Sequence, residues 1–357
     1  MCSNKQLVKQ RDKTEKELNK FFNKKIKQAK DQEKPEEFLE MIKKLKKFVL
    51  SGGKRIRPAL FYYGYFIAGG KEKKDAFKAS ISIELIHSYL LIHDDIIDED
   101  SFRHNNLTMH CRYEKKYKDK FNEKDLKHFG ISMAIVAGDL ASSLGYEILT
   151  CSNFPIDLKI KAIEKLNQIV SNTITGEAMD VILANRLNVS QDDVIKMQGY
   201  KTAKYTIEGP LHLGAILAGA DEKFLESISE FSIPLGIAFQ IQDDIIGVFG
   251  KEKEIGKFVG ADIREGKKTL LSVKAFEKAD SEQLKILNKS FGNRNIDLKE
   301  VNAVRKIITD TKSLDYSLEK MEKLIKFSKA RLEEIEISKE CKKFLLRLAD
   351  FMIERKY

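Results

Sequence analysis

Leu85-Ile86-His87-Ser88-Tyr89-Leu90-Leu91-Ile92-His93-Asp94-Asp95-Ile96-Ile97-Asp98 is an apolar run that ends abruptly in three carboxylates. Read as a helix, it sets Asp94 and Asp98 one turn apart on one face, with Asp95 beside them. Acids so close repel one another, and a buried acid without a partner is costly. The pattern therefore predicts a cation at this face. Oxygen-only ligands, with no His or Cys at metal-ligand spacing, favour a hard ion such as Mg2+. A second stretch, Phe239-Gln240-Ile241-Gln242-Asp243-Asp244-Ile245-Ile246-Gly247, echoes the first. Two acidic helix faces pointed at each other would make a cage with open positions for a ligand's phosphate oxygens. A single pair of acids at one-turn spacing is more often a solvated helix face. Here the acids interrupt the most apolar segments of the chain, and the device occurs twice.

The 357 residues suffice for a substantial core. Lys and Arg number 64 against 54 Asp and Glu, a net charge of +10 that suits anionic partners. The positive charges are mixed along the chain. No clustered basic face with interleaved aromatics is visible, which argues against a nucleic-acid partner. Cys2, Cys111, Cys151 and Cys341 lie far apart with no CxxC pair. That argues against a zinc site and a disulfide framework, and fits a reducing compartment. The N-terminus is polar and lacks an apolar signal segment, and no apolar run is read as long enough to span a bilayer. A soluble, cytoplasmic protein without stable membrane insertion is expected.

Proline is scarce, at 5 residues, and most windows show helical periodicity. The chain reads as one all-α domain over residues 1–357. Helices are expected at 13–29 and 36–50, followed by Ser51-Gly52-Gly53-Lys54-Arg55-Ile56-Arg57-Pro58. Two glycines, three cations and a proline suited to a helix start make a plausible anion cradle. A long helix is expected over 74–98, then a polar loop over 99–106 carrying Arg103 and His104, and an exposed charged segment over 114–127. The small-residue segment 129–151 reads as a central helix containing Asp139. Residues 192–217 carry Lys201-Thr202, with a kink expected at Gly209-Pro210. The second acidic helix covers 222–247. A loop rich in Gly and Lys follows, holding Lys257, Asp262 and Lys267.

Taken together, the GGKRIRP cradle at 52–58, Asp94-Asp95-Asp98, Lys201-Thr202, Gln240 with Asp243-Asp244, and Lys267 resemble the trans-isoprenyl diphosphate synthase, or polyprenyl synthetase, family. The resemblance covers essentially the whole chain. It implies a bundle of long, mostly antiparallel helices around a central cavity, usually as a homodimer. It also implies condensation of an allylic diphosphate with isopentenyl diphosphate, with Mg2+ as cofactor and about three ions when substrate is bound. Asp94, Asp98 and Asp243 would hold Mg2+, with Asp95 and Asp244 in support, so that the pyrophosphate can leave. Arg103, Lys201 and Lys267 would add positive charge around the allylic diphosphate. Lys54, Arg57 and His87 would hold the isopentenyl diphosphate. His104 and Lys257 are further expected substrate contacts, and Thr202 and Gln240 are read as phosphate ligands or helpers for the carbocation.

Two positions depart from the family pattern. Gly247 stands where a third Asp is usual, and His104 where a second Arg is usual. Activity is expected to survive the first, and weaker diphosphate binding is expected from the second. Tyr89 and Leu90 are the expected floor of the tunnel that receives the growing chain. One aromatic there resembles the pattern of geranylgeranyl (C20) producers; farnesyl or longer products are the alternatives. A non-catalytic subunit of a heteromeric synthase tends to lose the aspartates, whereas this chain keeps five of the six. A terpene cyclase-like lyase generally lacks the GGKRIRP cradle.

Overall fold

Few prolines and sustained 3.6-residue periodicity give a chain that is helical almost throughout. The computed structural model describes residues 2–250 and 260–353. The chain forms two compact units: Met1–Ile163 with Ile216–Ala218, and Glu164–Ala215 with Gly219–Tyr357.

The first unit is built from α1 (Cys2–Asp31), α2 (Glu36–Val49), α3 (Ile56–Ile67), α4 (Lys73–Ile97), α5 (Met109–Tyr117) and α6 (Glu123–Thr150). Leu18 and Phe22 of α1, Leu45 of α2, Leu85 and Ile92 of α4 and Ala137 of α6 share its apolar core. Local chemistry sets the helix ends. α2 opens with Glu36 and Glu37 and closes with Lys46 and Lys47, each complementing the helix dipole. The Asn122 side chain caps α6 by accepting from the Asp125 N–H.

Two expectations change here. The loop at 99–106 contains a short antiparallel pair, β1 (Phe102–Arg103) with β2 (Asn106–Leu107). The charged segment over 114–127 is exposed as expected, with none of its residues buried, and it spans the end of α5 at Tyr117 and the start of α6 at Glu123. By length and composition α6 is long and apolar enough to cross a bilayer, against the expectation that no run is. Small residues explain that composition, since Ala134, Ala137 and Ala141 are buried where α6 packs on the unit's core.

After α7 (Ile156–Ala184) come α8 (Gln191–Gln198), a π-helical segment over Gly199–Glu208, α9 (Gly209–Leu217) and α10 (Glu222–Phe249). They are followed by α11 (Ala261–Arg264), α12 (Leu270–Lys278), α13 (Ser281–Ser290), α14 (Leu298–Asp310), α15 (Ser313–Glu334) and α16 (Lys339–Ile353). In the second unit Ile241, Ile245 and Val248 of α10 pack with Leu271 of α12 and Val301 and Val304 of α14. The irregularity expected at Gly209-Pro210 lies just upstream, as the π segment that carries Lys201 and Thr202. Its wider turn is closed by the Gly209 N–H donating to the Lys204 carbonyl. Gly176 of α7 and Gly236 of α10 make room for it: a Cβ at either would overlap the backbone of Lys201 or Ala203. The rare helix type thus fixes two motif residues between two helices that approach closely.

A buried polar group also orders this unit. Ser229 Oγ donates to Glu208 Oε1 at 2.6 Å, and His212 Nε2 lies 2.9 Å from the Leu225 carbonyl oxygen. Burial, aided by the Lys165 charge, pushes the His212 pKa down to about 3, against the opposing Leu225 bond. The unfolded chain takes up this proton near pH 6.5, the folded chain only near 3. The stability this neutral histidine provides is therefore present above pH 6.5 and lost as pH falls toward 3. His212→Gln is expected to remove about one proton from the acid-side slope of stability, read from denaturation midpoints between pH 7 and 4. An unchanged slope would contradict this account of the buried ring.

Candidate active site

In the first unit, α4 delivers the acids and the hairpin after it delivers their counter-charge. Asp95 is fully buried, Asp94 is half-buried, and Asp98 caps the C-terminus of α4. The hairpin pairs Arg103 with Asn106 around a two-residue turn, His104-Asn105. Both turn residues have positive φ, 49° and 59°, as a tight right-twisted hairpin requires. The turn returns Arg103 over α4. Its Nε donates to Asp95 Oδ1 at 2.6 Å and its Nη2 to Asp94 Oδ2 at 3.1 Å. Even so, burial raises the Asp95 pKa to about 7, with Asp94 and Asp100 adding repulsion and Arg103 opposing. Asp95 Oδ2 is buried without a hydrogen-bond partner among the described residues.

The glycine-rich cradle divides its three cations by role. Arg55 turns inward, with Nη1 2.5 Å from Glu84 Oε1 and Nη2 2.6 Å from the Val49 carbonyl oxygen. It is a buried structural ion pair that anchors the start of α3. Lys54 is exposed and Arg57 half-buried. A Cβ on Gly52 would touch the His104 side chain at 3.7 Å, so the cradle lies beside the hairpin turn. Burial holds the His87 pKa well below its usual range, and the charges of Arg57, Arg103, Arg55 and His104 push it the same way. His87 is thus a neutral donor and acceptor near pH 7. These residues form a locally positive environment suited to an anion.

Tyr89 and Leu90 are half-buried on α4. The Tyr89 ring packs edge-on against His93 at 4.8 Å between centroids. His93 Nε2 lies 3.3 Å from the Ile135 carbonyl oxygen and 3.8 Å from Asp139 Oδ1, which gives Asp139 a local partner.

In the second unit, Lys201 Nζ sits 2.7 Å from Asp180 Oδ2 and 2.9 Å from Glu177 Oε2. Thr202 Oγ1 donates to Gln240 Oε1 at 2.6 Å, and Gln240 Nε2 donates to Asp244 Oδ1 at 2.7 Å. Gln198 Nε2 donates to the other Asp244 oxygen at 2.8 Å. Thr202 and Gln240 therefore belong to a chain that orients Asp244. Burial pushes the Asp244 pKa well above the usual carboxylate range, followed by repulsion from Asp262; the Gln240 bond opposes, and Asp243 and Asp180 add to the rise. Asp243 is half-buried, and Lys267 Nζ lies 2.9 Å from Glu265 Oε2. Lys257 lies outside the described residues.

In the sequence Asp262 is one residue of a Gly- and Lys-rich loop, with no role assigned to it. A Cβ at Gly247 would overlap its carboxylate. Where the family pattern leads one to expect a third acid on α10, an acid from α11 fills the space. The signal was the missing acid itself, since a vacant position in an acidic motif invites a carboxylate from another element. Glu177, on α7, also takes part by pairing with Lys201.

These acids suit a hard divalent cation. The candidate ligands offer carboxylate oxygens, Asp95 keeps one buried oxygen unsatisfied, and Asp95 and Asp244 hold their protons more strongly than ordinary carboxylates. A bound cation would relieve both the desolvation and the like-charge repulsion that raise them.

Residues 36–308 match the polyprenyl synthetase family. A geranylgeranyl diphosphate synthase of Sulfolobus acidocaldarius is 34% identical over 309 residues, 86% of this chain and 88% of that one. A geranylgeranyl pyrophosphate synthase of Geoglobus acetivorans is 33% identical over 340 residues, 95% of this chain and 98% of that one. Among solved structures, the geranylgeranyl pyrophosphate synthase of Corynebacterium glutamicum, complexed with isoprenyl diphosphate and magnesium, superposes with a TM-score of 0.92. It is 30% identical and covers 98% of this chain and 99% of its own. With these acids, cations and helices in place, the chain belongs to the polyprenyl synthetase family and is a prenyltransferase with the all-α isoprenoid synthase fold.

Asp262→Asn is expected to weaken Mg2+ binding by about 10–100-fold, as loss of an outer-shell carboxylate does. Calorimetric titration of the full chain with Mg2+ in the presence of inorganic pyrophosphate measures this. An affinity equal to that of the unaltered chain would reduce Asp262 to a packing role.

Proposed function

We propose that this protein condenses an allylic diphosphate with isopentenyl diphosphate, and that its principal product is geranylgeranyl diphosphate. The observation that carries this reading is Arg103 shared between Asp94 and Asp95, beside Arg57, His87 and His104. Acids able to take a divalent cation and cations able to take a phosphate stand within one small region of the first unit.

In this reading Asp94, Asp98 and Asp243 hold Mg2+, with Asp95 and Asp244 in support. Mg2+ supplies Lewis-acid neutralisation of the departing pyrophosphate. Arg103, Lys201 and Lys267 bind the allylic diphosphate, and Lys54, Arg57 and His87 bind the isopentenyl diphosphate, with His104 and Lys257 as further phosphate contacts. Thr202 and Gln240 act through Asp244, whose oxygen they orient. The allylic C–O bond breaks and pyrophosphate leaves with its electron pair. The isopentenyl double bond then attacks the allylic cation, forming the new C–C bond. A proton is lost to the released pyrophosphate, which restores a double bond. Apolar side chains such as Tyr89 and Leu90 keep water from the cation and bound the product's length.

We further propose that residues 1–357 act as one functional domain, in the cytoplasm, as a homodimer without stable membrane insertion. Ile135 and Val136 on α6, and Ile174, Val181 and Ile182 on α7, are exposed. Apolar surface of this kind supports association with a second copy.

Incubation with dimethylallyl, geranyl or farnesyl diphosphate plus isopentenyl diphosphate and Mg2+ is expected to yield mainly the C20 product by chromatography. A parallel reaction under chelation is expected to yield none. Robust elongation without divalent metal would remove the acids from the mechanism. Tyr89→Ala is expected to lengthen the principal product, and an unchanged product distribution would show that Tyr89 is not the floor.

A further inference from the structure

The absence of a CxxC pair argued against a zinc site, but that argument concerns only one ligand spacing. On α5, His110 and Glu114 stand one turn apart and Cys111 lies three residues before Glu114, so all three share a helix face. One ring nitrogen of His110, the Cys111 sulfur and one Glu114 carboxylate oxygen lie within 4.8 Å of one another. His110 is only 7% exposed, and its Nδ1 is buried without a hydrogen-bond partner among the described residues. Buried polar atoms are mostly satisfied by protein, ordered water or a bound ion. The backbone of α6 closes over the cluster at Gly130, where a Cβ would meet Glu114 Cγ at 2.7 Å and the His110 carbonyl oxygen at 2.9 Å.

We propose that His110, Cys111 and Glu114 form a binding site for a thiophilic divalent cation such as Zn2+, separate from the Mg2+-binding aspartates. The donor set distinguishes the two. Imidazole nitrogen, thiolate sulfur and one carboxylate oxygen suit a borderline-soft ion, whereas Mg2+ selects oxygen alone. Three protein ligands leave the fourth tetrahedral position for water or an external thiol. Binding displaces one proton from the Cys111 thiol to solvent, and the imidazole coordinates through its lone pair.

Co2+ is the probe, since a thiolate bound to it gives a charge-transfer absorption band. The full chain, reduced and held in excess Mg2+ to mask the aspartates, is titrated with Co2+ and then with Zn2+. The expected result is a band that saturates at about one Co2+ per chain and is displaced by Zn2+. Cys111→Ser should abolish it, and Glu114→Gln should weaken binding by at least about 10-fold. Cys151→Ser should leave it intact, because Cys151 is an exposed thiol apart from the cluster. Circular dichroism of each variant checks that the helices persist. A well-folded chain with no saturable band, or a band that survives in Cys111→Ser, would overturn the assignment.

Discussion

One guanidinium holding two carboxylates at the end of an apolar helix is the constraint on which the first unit depends. Asp95 is fully buried beside Asp94, and each ionised form raises the cost of the other. Arg103 meets both acids, yet Asp95 still binds its proton far more tightly than a free carboxylate does. The balance requires Arg103 in one place. That place is fixed by a two-residue hairpin turn with two left-handed residues, directly after the helix that carries the acids. The short strand pair in an otherwise helical protein is therefore part of the electrostatics of the site.

The second unit meets the same difficulty by other means. Asp244 is buried near Asp262, Asp243 and Asp180, and among the described residues two side-chain amides donate to its oxygens. The positive charge sits elsewhere, on Lys201 between Glu177 and Asp180. A π segment places Lys201 and Thr202, and it persists because Gly176 and Gly236 leave room for it. Irregular backbone and clustered negative charge are both costs to stability. Their concentration around these acids is what the proposed divalent-cation site would require.

Much of this was legible in the residues because the acids interrupt apolar runs with helical spacing. The pattern identified α4 and α10, the cradle before α3, and the all-α class. It did not separate residues that would touch substrate from residues that hold others in place. Arg55 looks like Lys54 and Arg57 in sequence, and only the packing shows it buried on Glu84. Thr202 and Gln240 read as ligands, while their hydrogen bonds lead to Asp244. Asp262 was obscured by the Gly- and Lys-rich segment around it, since a carboxylate acting across elements leaves no periodic signal. The hairpin escaped because two-residue strands are too short to alternate, and His104-Asn105 is not the usual Asn-Gly turn. The cluster on α5 escaped because its ligands span a single helical turn and only Glu114 falls in the segment that reads as surface charge.

The central proposal is that carboxylates at Asp94, Asp98 and Asp243 hold divalent ions on a diphosphate. A crystal structure of the full chain with Mg2+ and inorganic pyrophosphate tests it most directly. The account predicts octahedral Mg2+ about 2.0–2.1 Å from oxygens of these three aspartates and from the pyrophosphate. Ordered pyrophosphate with no metal on any of the three carboxylates would contradict it.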